Sequence, residues 1–330
     1  VINYNINGGT TQTATIGASG TFSFNDSPTI ATTYNLTNVK MNDSGGNTIC
    51  TSPLNDSETV SVVSLPTATI SGTANICSGS TATIDFSGTP NATVTYTINS
   101  GPNQTINLDG AGLAILVSPA LTANTTYALV SVTSSGTPTC SQTQSGNAVI
   151  TIVTLPTATI SGTATICSGA TATITFNGTP NATVTYTVNS GPNQTIVLNA
   201  AGTASLTTPA LTANTTYSLV SVAITGSSGC SQTQSGSAIL TIAPLPTATI
   251  SGTTSICSGA TATVSFNGTP NATVTYTVNS GPNQTIVLNA AGTASLTTPA
   301  LTANATYDLV SVASVGTPSC SQTQSGSAVI

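Results

Sequence analysis

Short stretches of strict alternation between apolar and polar residues dominate the chain. In ATATITF (residues 170–176), alanine, isoleucine and phenylalanine alternate with threonine, and ATVTYTV (182–188) alternates in the same way. A period of two is typical of β-strands that pack on one face and are solvated on the other. No helical periodicity competes with it, so the pattern predicts an all-β protein.

Turn-forming segments separate the alternating stretches. NGTPN (177–181) and NSGPN (189–193) place Gly, Pro and Asn between predicted strands. Further strands are predicted at residues 194–199, 203–208, 215–224 and 237–243. About seven short strands, with a turn every ~8–12 residues, indicate an immunoglobulin-like β-sandwich of the PKD or fibronectin type III kind.

The whole pattern recurs with a period of 90 residues. The segment LPTATISG marks this period, since it begins at Leu65, Leu155 and Leu245. We therefore divide the chain into a front segment (residues 1–64), which is the C-terminal part of a diverged repeat, and three immunoglobulin-like repeats. These are copy 1 (65–154), copy 2 (155–244) and copy 3 (245–330), the last with an incomplete final strand. Short, Pro-containing linkers between the sandwiches predict a rod. We expect the chain to be a segment of a longer array.

One tyrosine in each copy stands at a constant position before an alternating strand. Leu211 and Tyr217 are six residues apart in LTANTTY. This spacing resembles the tyrosine corner of fibronectin type III and related sandwiches, in which the hydroxyl bonds back to the corner before strand F. We predict this structural role, rather than ligand contact, for Tyr127, Tyr217 and Tyr307.

Two disulfide patterns fit the cysteine spacing. Cys167 comes just before the predicted strand at residues 170–176, which is strand B in immunoglobulin lettering, and Cys230 comes just after the strand at 215–224, which is strand F. These two strands run in the same direction, so the two thiols should lie at opposite ends of a sandwich. A disulfide needs Cα atoms within ~7 Å. The leading hypothesis therefore joins neighbouring copies through Cys77–Cys230 and Cys167–Cys320, with Cys50, Cys140 and Cys257 paired outside this sequence. The alternative pairs cysteines within a copy: Cys77–Cys140, Cys167–Cys230 and Cys257–Cys320.

Charged side chains are nearly absent. Lys40 is the one basic residue, seven residues are Asp or Glu, and histidine does not occur. Nucleic-acid binding is excluded because almost no cation is present to neutralise phosphates. His-assisted nucleophiles and imidazole metal sites are excluded too, and we predict a non-enzymatic protein without cofactors. No apolar run approaches the ~18–20 residues that a membrane span needs, so no membrane insertion is predicted.

Cysteines that recur with the 90-residue period, in a nearly uncharged, Thr-rich chain, favour an oxidising, extracellular setting. The Asn-Ala-Thr triplets at Asn91, Asn181 and Asn271 are candidate glycosylation sites, and O-linked sugar on Thr or Ser is an equal alternative. The Thr-x-Thr rows also resemble ice-binding surfaces, although twisted sandwich sheets rarely provide the flat array that ice requires.

Three sequence blocks carry a resemblance to a known class of proteins: PTATISGTATICSGATATITF, GPNQTIVLNAAGTASLTTPAL and CSQTQSGSAILTI. They resemble the repeats of very large secreted proteins of Bacteroidota, especially flavobacteria. Proteins of that class are strings of immunoglobulin- or PKD-like modules exported by the type IX secretion system, and some act as mobile surface adhesins in gliding. The resemblance implies a cell-surface location and contact with the export or gliding machinery.

The repeat architecture favours a structural role. The leading hypothesis is a stalk segment of a repetitive extracellular adhesin, in which the partners of each repeat are its neighbours in the same chain. The alternative is that the repeats themselves bind a ligand, as glycan- or ice-binding modules. Self-association through the uncharged Thr-rich faces is a third hypothesis.

Overall fold

A computed structural model describes residues 1–226 and 229–330. Within these residues all of the regular secondary structure consists of β-strands, and there is no helix. The chain separates into two compact units. One contains residues 1–74 and 79–151, and the other contains residues 75–78 and 152–330. Copies 2 and 3 therefore belong to one unit, together with the four residues around Cys77.

The strands repeat with the sequence. The front segment contains β1 (Ile2–Ile6), β2 (Gln12–Ala14), β3 (Thr32–Asn42) and β4 (Thr48–Val60). Copy 1 contains β5 (Ala68–Ser71), β6 (Ala74–Cys77), β7 (Thr83–Gly88), β8 (Thr93–Ile98), β9 (Asn103–Asn107), β10 (Leu113–Val117), β11 (Thr125–Thr133), β12 (Ser141–Thr143) and β13 (Asn147–Val153).

Copies 2 and 3 have nearly the same elements. Copy 2 contains β14 (Ala158–Ser161), β15 (Ala164–Cys167), β16 (Thr173–Gly178), β17 (Thr183–Val188), β18 (Gln194–Val197), β19 (Thr203–Thr207), β20 (Thr215–Ala223), β21 (Ser231–Thr233) and β22 (Ser237–Ala243). Copy 3 contains β23 (Ala248–Ser251), β24 (Thr263–Gly268), β25 (Thr273–Val278), β26 (Gln284–Val287), β27 (Thr293–Thr297), β28 (Thr306–Ala313), β29 (Ser321–Thr323) and β30 (Ser327–Val329).

Copy 2 is a sandwich of two sheets. One sheet has the strand order β14–β16–β19, and the other has the order β15–β22–β20–β17–β18, with β21 also paired to β20. In immunoglobulin lettering these are the sheets A-B-E and A′-G-F-C-C′, in which β21 and β22 together form strand G. Strand β15 is parallel to β22, and the other pairs are antiparallel. This order confirms the predicted tandem immunoglobulin-like fold.

The other copies repeat this arrangement. Copy 1 has the orders β10–β7–β5 and β13–β11–β8–β9, with β12 paired to β11. Copy 3 has the orders β23–β24–β27 and β26–β25–β28–β29, with β30 also paired to β28. Residues 254–257 of copy 3, the counterparts of β15, do not form a strand.

The core of copy 2 lies between its two sheets and follows the alternation in the sequence. Ile174, Phe176 and Val184 are fully buried, whereas threonine occupies the outward positions between them. The Phe176 ring packs on Tyr186 with ring centroids 5.1 Å apart. Each large apolar side chain removed from water in this way contributes about 1.5–3 kcal/mol, so the period-two pattern decides which face of each strand turns inward.

Gly178 allows strands β14 and β16 of copy 2 to approach each other closely. It ends β16 opposite Ala158 of β14, and a Cβ atom at this position would lie 2.1 Å from the carbonyl oxygen of Thr157. Gly88 and Gly268 hold the same position in the other copies, where a Cβ atom would lie 2.1 and 2.0 Å from the corresponding threonine carbonyl oxygen. Only glycine fits, because every other residue carries the Cβ atom.

The front segment forms a single four-stranded sheet with the order β2–β1–β3–β4, the counterparts of strands C′, C, F and G. Its aromatic side chains are less covered than those of the complete copies. The Phe24 ring lies 5.6 Å from the Tyr4 ring and is 46% exposed. In copy 1 the tyrosines that correspond to those of the front sheet, Tyr96 and Tyr127, are buried.

Candidate functional site at the disulfide junctions

Two disulfide bonds join different copies of the repeat. Cys77 is bonded to Cys230, and Cys167 is bonded to Cys320. In both pairs the Cα atoms are 5.5 Å apart and the sequence separation is 153 residues. These are the two pairs of the between-copy hypothesis, and the structure does not form the within-copy pair Cys167–Cys230.

The parallel pairing of β15 with β22 determines where the first cysteine of copy 2 lies. Cys167 is the last residue of β15 and stands beside Ala243, at the end of strand G. The backbone N–H of Ser168 extends the ladder by donating to the carbonyl of Ala243 at 2.9 Å. This end of the sandwich is the one from which the chain continues into copy 3.

The second cysteine of copy 2 lies at the other end of the same strand. Cys230 directly precedes β21, whereas Cys167 is paired with Ala243. The chain between Cys230 and Ala243 runs along strand G, and an extended strand of that length spans roughly 40 Å. Since a disulfide needs Cα atoms within ~7 Å, the geometry of one sandwich separates its own two cysteines.

Hydrogen bonds across the base of the F–G loop position each loop cysteine. In copy 3, the N–H of Ser314 donates to the carbonyl of Cys320 at 2.8 Å, and the N–H of Cys320 donates to Oγ of Ser314 at 3.0 Å. Copy 2 keeps the first of these bonds between Ile224 and Cys230, at 2.9 Å. Cys320 and Cys230 are both only 1% exposed, so the cysteine of each F–G loop is shielded from solvent.

The linker between copies 2 and 3 is held on the side of copy 3 as well. It consists of residues 244–247, between β22 and β23, and Pro246 within it is buried. The N–H of Thr247 donates to Oγ1 of Thr269 at 2.9 Å, and the N–H of Thr269 donates to the carbonyl of Thr247 at 2.8 Å. Two covalent connections therefore join copy 2 to copy 3, the linker and the Cys167–Cys320 bond.

Three cysteines are free thiols: Cys50, Cys140 and Cys257. Cys50 is exposed on β4 opposite Met41, and Cys257 is exposed in copy 3. Cys140 occupies the F–G loop of copy 1, and its N–H bonds to Oγ of Ser134 at 2.9 Å, as Cys320 bonds to Ser314. That these three pair outside this sequence stays a prediction.

The three tyrosines predicted to form tyrosine corners lie in the core. Tyr127, Tyr217 and Tyr307 are 1–3% exposed. Burial raises the pKa of Tyr127, the neighbouring Tyr96 raises it further, and a side-chain hydrogen bond with Ser118 lowers it. Burial is likewise the main cause of the raised pKa of Tyr217 and of Tyr307. Their inward position fits a structural role, and the hydrogen bond that defines a tyrosine corner stays a prediction.

The three candidate glycosylation positions occupy one turn, between strands B and C. Asn91, Asn181 and Asn271 are exposed and have left-handed backbone conformations, with φ of 57°, 58° and 62°. Asparagine tolerates this conformation better than most residues, which gives the turn a structural reason for its asparagine. Attachment of sugar there stays a prediction.

The described part of the chain shows little else that resembles a reactive site. A groove of about 540 Å³ at the end of copy 3 is lined by hydroxyl, amide and aliphatic groups from residues 253–256, 258 and 301–304, with Val329 and Ile330. Within residues 1–226 and 229–330, no three His, Cys, Asp or Glu side chains are grouped closely enough to hold a metal ion. The same residues contain no helix of the length and apolar character that crossing a membrane requires.

Sequence reasoning missed one element of the junction, strand β15. The alternation predicts no strand at ATIC (residues 164–167), but these four residues form a strand of their own, parallel to β22. A four-residue strand is too short for its alternation to be recognised, so only its pairing partner reveals it.

No protein-family model matches the chain, and no curated protein matches it either. The solved structures that match include a marsupial T cell receptor, which is 11% identical with a TM-score of 0.40, and this match covers 77% of this chain and 99% of that chain. The FN1–FN3 domains of chicken CNTN1 have 12% identity, TM-score 0.26, and coverage of 75% and 93%. The human OSCAR ligand-binding domain has 13% identity, TM-score 0.26, and coverage of 52% and 96%. These superpositions are loose, and the immunoglobulin-like assignment follows from strand order and pairing.

Proposed function

We propose that this chain is a stalk segment of an extracellular, cell-surface adhesin, in which the repeats set length and stiffness and a ligand is bound elsewhere. The observation that supports this most directly is the Cys167–Cys320 bond beside the four-residue linker. Two separate covalent links between neighbouring sandwiches limit bending and twisting at the junction. A module whose task was to bind a ligand alone would not need such a junction in each repeat.

The disulfides also support the proposed location. Disulfide bonds persist in oxidising compartments such as the cell exterior and are rare in the cytosol. The resemblance of the repeat blocks to those of flavobacterial surface proteins adds the finer proposal, which is export by type IX secretion and a role in gliding adhesion. Under this proposal the partners of the repeats are neighbouring repeats and the export or gliding machinery.

Removal of one whole period tests the stalk function. Deleting residues 155–244 takes out copy 2 with Cys167 and Cys230, and places Cys77 153 residues from Cys320, the separation seen in both disulfides. A stalk should keep its fold and pairing and shorten by about 35–45 Å, the length of one sandwich. Small-angle scattering measures the shortening, and peptide mapping measures the Cys77–Cys320 bond.

The rival function, ligand binding by the repeats, gives a different result. If each repeat bound a glycan or an ice surface, deleting one complete copy would lower avidity in proportion to the copies lost. The same deletion variant should therefore be compared with the intact chain in glycan-array binding and ice recrystallisation assays. Binding by the intact chain that falls on deletion would contradict the stalk function.

A further inference from the structure

The two disulfide loops overlap, and this overlap determines how the chain is held together. The first loop runs from Cys77 to Cys230, and the second runs from Cys167 to Cys320. Both loops enclose residues 167–230, which comprise most of copy 2. The overlap arises because each bond spans 153 residues whereas the repeat advances by 90.

We infer that the backbone between Cys77 and Cys320 is covalently redundant, so that a single cut at any peptide bond there leaves the chain in one piece. A cut between Cys77 and Cys167 is bridged by the first bond, and a cut between Cys230 and Cys320 is bridged by the second. A cut within residues 167–230 is bridged by both. The linkers at residues 154–157 and 244–247 are included, although linkers are where a string of domains is ordinarily severed.

Pairing within each copy would not have this property. Bonds of the type Cys167–Cys230 would protect the interior of each sandwich and leave every linker as a single covalent strand. The offset between a 153-residue loop and a 90-residue period is what carries protection across the junctions. For a surface stalk exposed to proteases, one nick would then not release the distal part.

The same connectivity changes the path that a pulling force takes. The shortest covalent route from Cys77 to Cys320 passes through the first disulfide, back along residues 230–167, and through the second disulfide. The separation of Cys77 from Cys320 is therefore limited by that 63-residue stretch, whose fully extended length is roughly 220 Å at ~3.5 Å per residue. After reduction the whole segment between Cys77 and Cys320 extends to roughly 850 Å. The bonds therefore limit how far an overstretched stalk can lengthen.

This inference deepens the proposed stalk function, but its test does not depend on adhesion. A recognition sequence for a site-specific protease can be inserted singly into equivalent exposed turns of the full chain. The turns at residues 109–112, 199–202 and 289–292 lie within the loops, as does the linker at 244–247. The turn at residues 43–46 lies outside both loops and serves as the matched control.

The outcome is visible on denaturing gels run with and without reductant. Cuts at the three copy turns and at the linker should leave one species of full mass without reductant and two fragments with it. The cut at residues 43–46 should give two fragments in both conditions. The decisive case is the linker cut, made in protein in which a thiol assay finds only Cys50, Cys140 and Cys257 unpaired. If that cut gives two fragments without reductant, the inference is overturned.

Cysteine variants assign each protected interval to one bond. With Cys167→Ser and Cys320→Ser, the cut at residues 289–292 should separate the chain without reductant, whereas the cut at 109–112 should not. With Cys77→Ser and Cys230→Ser, the two results should be exchanged. The cut at residues 199–202 should separate the chain only when both disulfide bonds are removed. If this cut separates the chain in either of the two double cysteine variants, the two loops do not overlap there. None of these results depends on whether the stalk function is correct.

Discussion

Cys167 is bonded to Cys320 of the following copy, and its neighbour across the parallel strand pair is Ala243, at the opposite end of strand G from Cys230. The strand that places Cys167 therefore separates it from the other cysteine of its own copy. The same strand brings it to the end of the sandwich where the next copy begins. The junction between repeats is thus a consequence of strand direction within a repeat.

Removing the Cys167–Cys320 bond should destabilise the folded chain. In the variant Cys167→Ser with Cys320→Ser, we expect the free energy of unfolding of copies 2 and 3 to fall by about 2–4 kcal/mol, because the unfolded chain is no longer constrained. Chemical denaturation of both proteins measures this. Cys257→Ser, which replaces an exposed free thiol, is the control and should change stability little. Equal stability of the double variant and the intact chain would show that the bond contributes nothing to folding.

Truncating the core of one copy should affect that copy strongly. Phe176 is fully buried and packs on Tyr186, so Phe176→Ala leaves a cavity and should cost about 3–5 kcal/mol. Val197 is 62% exposed on the edge strand β18, and Val197→Ala should change stability by less than about 0.5 kcal/mol. Thermal unfolding followed by circular dichroism compares the two. Similar shifts for both variants would contradict the assigned core.

Adding one methyl group at Gly178 should disrupt the approach of β14 to β16. In Gly178→Ala the new Cβ would lie 2.1 Å from the carbonyl oxygen of Thr157 and 2.8 Å from Cα of Ala158, so the backbone must shift. We expect a loss of about 2–4 kcal/mol, since backbone atoms cannot move aside as a flexible side chain can. Gly110→Ala, where no atom lies within 4 Å, is the matched control. A neutral Gly178→Ala variant in denaturant titration would show that the strands can separate freely.

Stability should fall in alkali because of the buried tyrosines. Burial is the first cause of a raised pKa in six of them: Tyr96, Tyr127, Tyr186, Tyr217, Tyr276 and Tyr307. The folded chain holds these protons more tightly than the unfolded chain, whose tyrosines titrate near pH 10. Their contribution is therefore fully present below about pH 10 and is lost as the pH rises through the higher folded-state values.

Denaturation at a series of pH values checks this expectation, with the free thiols first blocked by alkylation so that disulfides do not exchange. Because histidine is absent, stability should be nearly constant from about pH 5 to about pH 9. At the acid end, hydrogen bonds lower the pKa of Asp26 and of Asp43, so their small contribution is lost below about pH 4. A variant with Tyr186→Phe and Tyr217→Phe should lose less stability in alkali, and an unchanged alkaline profile would contradict the assignment to buried phenols.

Local patterns predicted most of the strands, and the structure confirms them. The alternating stretch at residues 182–188 contains β17 (Thr183–Val188), and the stretch at 237–243 is β22 (Ser237–Ala243). These predictions succeed because alternation reflects a local requirement, one buried face and one solvated face on the same strand. The short parallel strand β15 was missed, because its stability comes from pairing with β22, more than seventy residues away in the sequence.

The sequence alone determined the repeat, the all-β class and the face of each main strand, because period, turn residues and alternation are properties of neighbouring residues. It limited the disulfide pairing to two patterns and favoured the one between copies, without establishing it. The choice between Cys167–Cys230 and Cys167–Cys320 was decided only by the tertiary structure. A disulfide requires two distant backbones to come within about 7 Å, and that distance is set by the pairing and direction of whole strands.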